Sequence, residues 1–153
     1  CRSYKVFNVV FYGWNDQADI VCDLSKEDIP QTDYYSYVLA QDILEHFPLE
    51  ATDMVMKKIN DCMMIGAEVS VQVPNFALNL EEYHNNSATK LFDEQSACHR
   101  FSQCVFGKQD YPGNFHYQLF DAGRLKEVME TAGFEVQEQW TNGRGLNIRG
   151  IKV

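Results

Sequence analysis

Two histidines, an acid at a strand end and two aromatic side chains offer most of the chemistry that this sequence can do. His46 follows Leu44 and Glu45, and His116 follows the run from Tyr111 to Phe115. An imidazole changes charge near neutrality, which suits either residue to work as a general base. The commoner role for a histidine placed like His46 is to tie its loop by hydrogen bonds, and both roles stand. Asp23 ends an apolar run, where it can accept a hydrogen bond from a ligand amine or cap a loop. Tyr12 and Trp14 can stack on a planar ligand or face a cation through the ring quadrupole, although core packing is their commoner use. Asn75, just past a strand, carries both a donor and an acceptor.

No metal is expected. His84, Cys98, His99 and Cys104 are close enough in sequence to suggest zinc, but their spacing matches none of the usual paired ligand patterns. The five cysteines, Cys1, Cys22, Cys62, Cys98 and Cys104, are odd in number and contain no C-x-x-C, which favours a reducing compartment. Cys22 lies in an apolar run and reads as a small buried hydrophobe. Asn85, Asn86 and Ser87 form a glycosylation sequon, but no secretory pattern gives it a context.

These residues need a scaffold, and 153 residues suit one domain that buries roughly 70% of its unfolded surface. The composition, 45% hydrophobic and 23% charged, is ordinary for a globular protein. No apolar run approaches the length of a membrane span and no signal-peptide pattern opens the chain, so no membrane partner and a cytoplasmic location are expected. Acids outnumber bases 22 to 13, giving a net charge of −9. A nucleic-acid binder needs a basic face to displace counterions, so that class is set aside. An acidic protein suits a cationic small ligand.

Residues 4–12 and 19–24 read as strands, and 35–40 as a third strand buried on both faces. From Pro48 to Met64 apolar residues recur at spacings of three and four, which predicts an amphipathic helix closed by Gly66. Residues 68–73 alternate cleanly as a strand. Residues 75–115 form an irregular insert with a helix expected over about 87–105. Asp121 is the expected N-cap of a helix ending at Gly133, and two strands, 134–140 and 146–153, flank a turn at Asn142 and Gly143. The order β-β-β-α-β-(insert)-α-β-β predicts a mainly parallel α/β sheet with a terminal antiparallel hairpin.

The stretch from Tyr35 to His46, an apolar strand followed by Gln41, Asp42 and then Leu44, Glu45 and His46, resembles the fourth strand and following turn of class I methyltransferases. Met63 to Glu68 resembles the turn before their fifth strand, and Val73, Pro74 and Asn75 its end. Ala132, Gly133 and Phe134 resemble the start of their sixth strand. This ordered set of landmarks implies a Rossmann-like α/β domain over 1–153, with helices on both faces of the sheet. The implied cofactor is S-adenosyl-L-methionine. Asp23 would accept from its adenine amino group, Leu24 would pack on the ring and Tyr12 would stack on the adenosine, while Ala40 and Gln41 would meet it at the switch-point crevice. Asn75 and His116 would line the acceptor pocket, with His46 or His116 as base. The implied activity is methyl transfer to a small-molecule or sugar-like acceptor; the alternative is a non-catalytic methyltransferase-like module for binding or assembly. A dehydrogenase is disfavoured because the sequence has no G-x-G-x-x-G.

The sequence also departs from that family. Its glycine-rich loop after strand one has no counterpart here, and Phe11 and Tyr12 stand where an acid would hold the ribose. Strand one is central in such folds, and a sheet without it exposes two strand edges. Cys1 in place of an initiating Met implies processing or truncation. Either preceding residues exist or the fold is rearranged; a missing N-terminal segment or a homo-oligomer is the expected cover for those edges.

Overall fold

The computed structural model describes residues 9–10, 20–30, 32–86, 96–143 and 145–153. Its centre is β4, Met63–Pro74. Ala67, Val69, Val71 and Val73 are buried and alternate with half-buried Glu68, Ser70, Gln72 and Pro74, as the period of two in a strand requires. β3, Tyr35–Gln41, pairs with β4 in parallel. On the other side lies β6, Gly145–Lys152, antiparallel to β4, followed by β5, Phe134–Asn142, antiparallel to β6. The strand order is β3-β4-β6-β5. This sheet is mixed, which corrects the expectation of a mainly parallel one. Because β6 lies between β4 and β5 and runs against both, two of the three pairings are antiparallel.

One face of the sheet carries the core. Val69 lies opposite Gly150, Val71 opposite Ile148 and Val73 opposite Leu146, so these residues share a face. Two helices touch each other and cover the sheet: α1, Leu49–Cys62, and α4, Ala122–Thr131. Val55, Met56 and Ile59 from α1 and Leu125, Val128 and Met129 from α4 are all buried in the same cluster. Asp121 caps α4 by accepting a 2.8 Å hydrogen bond from the Arg124 N–H. Helices were expected on both faces, yet on the face opposite the core Tyr37 and Leu39 are 51% and 58% exposed.

A second, two-stranded parallel sheet joins β1, Val9–Val10, to β2, Ile20–Val21. Among the described residues no strand pairs with the outer edge of β3. The segment after β2 is tied to α1, because the Lys58 ammonium donates to the carbonyls of Leu24 and Glu27.

Two further expectations change. The predicted helix does not run to Met64 with Gly66 as its stop: α1 ends at Cys62 and Gly66 lies inside β4 with φ +79°. Tyr35 pairs with Met63 but Tyr37 pairs with Glu68, so five steps on β4 oppose two on β3, and Gly66 takes the left-handed turn of that bulge. Among the described residues the insert holds two helices, α2 over Phe76–Asn86 and α3 over Ala97–Phe106; α3 takes the later part of the helix expected over 87–105, and 87–95 lie outside the described residues. The rings of Tyr83 and Phe101 stack between them at 5.0 Å.

Candidate functional site

The chain reverses sharply at the C-terminal end of β3. The Asp42 N–H still extends the ladder, donating to the Gln72 carbonyl at 2.9 Å, but Asp42 itself is left-handed, with φ +51°. Aspartate tolerates that region better than most residues, and such conformations gather at functional sites. A single 3₁₀ turn, Leu44–His46, follows at once. It turns Glu45 inward, to 2% exposure, and leaves His46 half-buried at the rim. A cleft of about 650 Å³ opens here, at the ends of β3 and β4, with Asp42, Glu45, His46, Gln72, Arg100 and His116 in its walls.

His116 reaches the cleft from a loop folded back on α3. Gly107 ends α3 at φ +78°, the Gln109 N–H donates to the Asn114 carbonyl, and the His116 N–H donates to the Phe106 carbonyl. A Cβ on Gly107 would stand 2.5 Å from the Asn114 carbonyl oxygen. Gly107→Ala therefore combines left-handed strain with a backbone clash, and denaturant unfolding should show a loss of at least about 2 kcal/mol. An unchanged midpoint would refute this account of the loop.

The same loop is fastened to the 3₁₀ turn. The Tyr117 N–H donates to the Glu45 carbonyl at 2.8 Å. The Gln118 amide donates to the carbonyls of Leu44 and Phe47, at 3.2 and 2.9 Å, and to the Thr52 hydroxyl. These bonds bring His46 and His116 together, edge to face, with ring centroids 4.9 Å apart. His46 Nδ1 lies 2.9 Å from the Phe115 carbonyl oxygen, and His116 Nδ1 lies 2.8 Å from that of Cys104. A carbonyl can only accept, so each Nδ1 carries a proton, and in the neutral form of either ring the lone pair sits on Nε2. His46 thus ties its loop, and its second nitrogen is left to act as a base.

Burial dominates the electrostatics. It pushes the Glu45 carboxyl up to about 8, helped by the charge of Asp42 and opposed by a bond from its own N–H. Among the described residues Glu45 Oε2 is buried with no hydrogen-bond partner. Burial also lowers the pKa of His116, with the Cys104 carbonyl bond working against it. Cys62 and Cys104 are each pushed up to about 11 by burial, so both are unreactive thiols at neutral pH.

Of the residues singled out from sequence, His46 and His116 meet in the cleft. Asn75 stands at its edge after the wall residue Pro74, where its side chain caps α2 by accepting from the Leu78 N–H. Ala40 turns its side chain into the core, and Gln41 is exposed beside Asp42. Asp23 and Leu24 do not line the cleft. The Asp23 carboxylate accepts from the Ser25 N–H and hydroxyl and from Lys26, while Leu24 is buried in the core. Tyr12 and Trp14 lie outside the described residues. Sequence reasoning left out Asp42, the buried state of Glu45, and Arg100, which is 6% exposed and lies 3.9 Å from Glu82.

No protein-family model and no curated protein matches the chain. Solved structures do. The PH0226 protein of Pyrococcus horikoshii superposes with a TM-score of 0.59 at 12% identity, over 88% of this chain and 58% of the other. A 1,6-didemethyltoxoflavin-N1-methyltransferase from Burkholderia thailandensis, with 1,6-didemethyltoxoflavin and S-adenosylhomocysteine bound, gives 0.57 at 14% identity, over 88% and 50%. The fold is that of the class I methyltransferases. A magnesium protoporphyrin IX methyltransferase from Synechocystis, bound to S-adenosylhomocysteine, gives 0.54 at 12% identity, again over 88% and 50%. At these identities the likeness is one of fold. The chain spans about half the length of these two methyltransferases. Among the described residues no helix is long and apolar enough to cross a membrane.

Proposed function

We propose that the chain forms part of an S-adenosyl-L-methionine-dependent methyltransferase acting on a small-molecule or sugar-like acceptor. One observation carries the reading: the cleft with His46, Glu45 and His116 opens at the C-terminal ends of the parallel pair β3 and β4, in a fold shared with methyltransferases that hold S-adenosylhomocysteine. Open α/β sheets bind their ligands outside the carboxyl ends of the strands. The cofactor supplies an electrophilic methyl group. The cleft fits the acceptor side, with room for a small molecule and Nε2 of His46 or His116 to take a proton from its nucleophilic atom. Holding that atom in line with the methyl group supplies much of the acceleration. Gln41 at the end of β3 and the main chain at Ala40 are the proposed cofactor contacts of the switch point, with Tyr12, Asp23 and Leu24 at the adenosine end. The net charge of −9 argues against a nucleic-acid acceptor, and the buried thiols of Cys22, Cys62 and Cys104 suit a reducing, cytoplasmic setting.

A second reading is a methyltransferase-like module kept for binding or assembly. It is favoured by Asp23, whose carboxylate already serves Ser25 and Lys26. Thermal unfolding of the full-length protein with S-adenosylhomocysteine separates the two. Ligand at about 100 times its dissociation constant adds about 2.7 kcal/mol, or several degrees. A flat response across that range would remove the cofactor-binding reading and leave the module.

A further inference from the structure

Glu45, His46 and His116 each place a potential ligand atom within 4.8 Å of the other two. We propose that these three residues bind one divalent transition-metal cation of the zinc class at the wall of the cleft. The metal site does not rest on the methyltransferase reading, but a bound cation would occupy the Nε2 lone pairs that the reading gives to its base, so the two use these atoms in alternative ways.

Four observations support it. First, two ligand atoms at about 2.1 Å from a tetrahedral ion lie about 3.4 Å apart, so closing this triad takes shifts of at most about 0.8 Å per donor. Second, both imidazoles are already oriented as ligands. Each donates its Nδ1 proton to a main-chain carbonyl, from Phe115 and Cys104, which fixes the tautomer and directs the free lone pair to Nε2. That outer-shell bond is the one that metal-bound histidines make almost without exception. Third, Glu45 is 2% exposed, and its Oε2 has no hydrogen-bond partner among the described residues. An acceptor buried in that way is costly, and a cation resolves it. Fourth, the segments that bring the three donors together, 44–47 and 115–118, are locked by Tyr117 and Gln118, so the geometry is built before any ion arrives.

The donor set selects the ion. Two imidazole nitrogens and one carboxylate suit zinc and its first-row neighbours, whereas magnesium and calcium demand oxygen ligands. Three protein ligands leave at least one coordination position, which the cleft leaves accessible to water or to an oxygen of a bound small molecule. Asp42 adds a negative charge beside the triad, its carboxylate held by the Gln72 amide at 3.3 and 3.4 Å. The set shares only the neighbourhood of Cys104 with the cysteines and histidines whose sequence spacing argued against zinc. His116 lies 70 residues beyond the adjacent pair Glu45 and His46, so spacing carries no trace of the set.

The test uses full-length protein stripped with a chelator and dialysed. Zn²⁺ is titrated by calorimetry, and Co²⁺ by visible absorption. The expected result is one ion per chain, with the intense Co²⁺ bands of a four- or five-coordinate site. His46→Ala, His116→Ala and Glu45→Gln should each weaken binding by more than about tenfold. Substituting the other two histidines, His84 and His99, should leave it unchanged. The proposal is overturned if no stoichiometric site saturates, if the Co²⁺ spectrum stays that of the hydrated ion, or if binding follows His84 and His99. Stoichiometry and spectrum are read on the native protein, so a variant that does not fold leaves the outcome decidable. No step involves S-adenosylhomocysteine, so a failure here is distinct from a failure of cofactor binding.

Discussion

Replacing Glu45 with Gln should stabilise the metal-free protein at pH 8 by on the order of 3–5 kcal/mol, and the gain should vanish as the pH falls towards 4.5. The sign follows from where the proton sits. In the folded protein burial raises the Glu45 carboxyl to about 8, while in the unfolded chain it titrates near the ordinary 4.5. Below 4.5 both states are protonated and the residue contributes no pH dependence. Between 4.5 and 8 the folded state holds a proton that the unfolded state has lost, so stability drains away as the pH rises. Above 8 both are ionised and the full penalty remains. Glutamine keeps the shape without the charge, and so the penalty disappears. His116 has the opposite slope, since a histidine kept neutral by burial costs stability as the pH falls below its unfolded value. It is present in both proteins and cancels in the difference. Urea unfolding of both proteins at pH 5, 7 and 8, with chelator throughout, measures the effect. A difference that does not change with pH would show that Glu45 is not buried as described.

The second large effect is expected at Gln118. Its amide shares two N–H groups among three acceptors, the carbonyls of Leu44 and Phe47 and the hydroxyl of Thr52. Gln118→Leu keeps most of the volume and leaves those acceptors with less than their hydrogen-bonding capacity. Each under-satisfied group costs about 1–3 kcal/mol, and some of these keep another partner, so a total of about 3 kcal/mol is expected. That corresponds to a fall in Tm of roughly 6–12 °C for a domain of this size. The consequence reaches the site, because this amide holds the loop carrying His116 against the turn carrying His46. Proton NMR of the two imidazoles should show them lose their mutual ring-current shift. A variant that melts within a degree of the wild type would mean that the Tyr117–Glu45 and His46–Phe115 bonds secure the loop without it.

Much of the fold is written in short-range pattern. β4 alternates between buried valines and half-buried polar residues, and that period of two is visible in the letters alone. The Asp121 cap, the apolar spacing of α4 and the left-handed Gly143 between β5 and β6 are equally local, because each depends on residues within a few positions. Gly66 shows the limit of such reasoning. The left-handed conformation expected of it is present, but a helix stop and a strand bulge make the same demand on a glycine. Only the pairing with β3 tells them apart. α2 escaped notice for a related reason: the residue it buries is Asn79, whose amide donates to the Asn75 carbonyl, and a polar residue leaves no hydrophobic period to find.

The site divides along the same line. Residue type was enough to single out His46 and His116 one at a time, the first after a strand and the second after the run from Tyr111 to Phe115. Their meeting, and the burial of Glu45 beside them, depend on main-chain and amide bonds spanning about 70 residues, and no local pattern encodes a contact of that range. A one-turn helix is also too short to show a period, so nothing in the order Leu44, Glu45, His46 says which side chain turns inward. The sequence by itself determined most of the elements and the kinds of groups available, because both are largely properties of neighbouring residues. The tertiary structure decided which groups share a cleft and which acid is buried without a partner, because those follow from how distant segments pack.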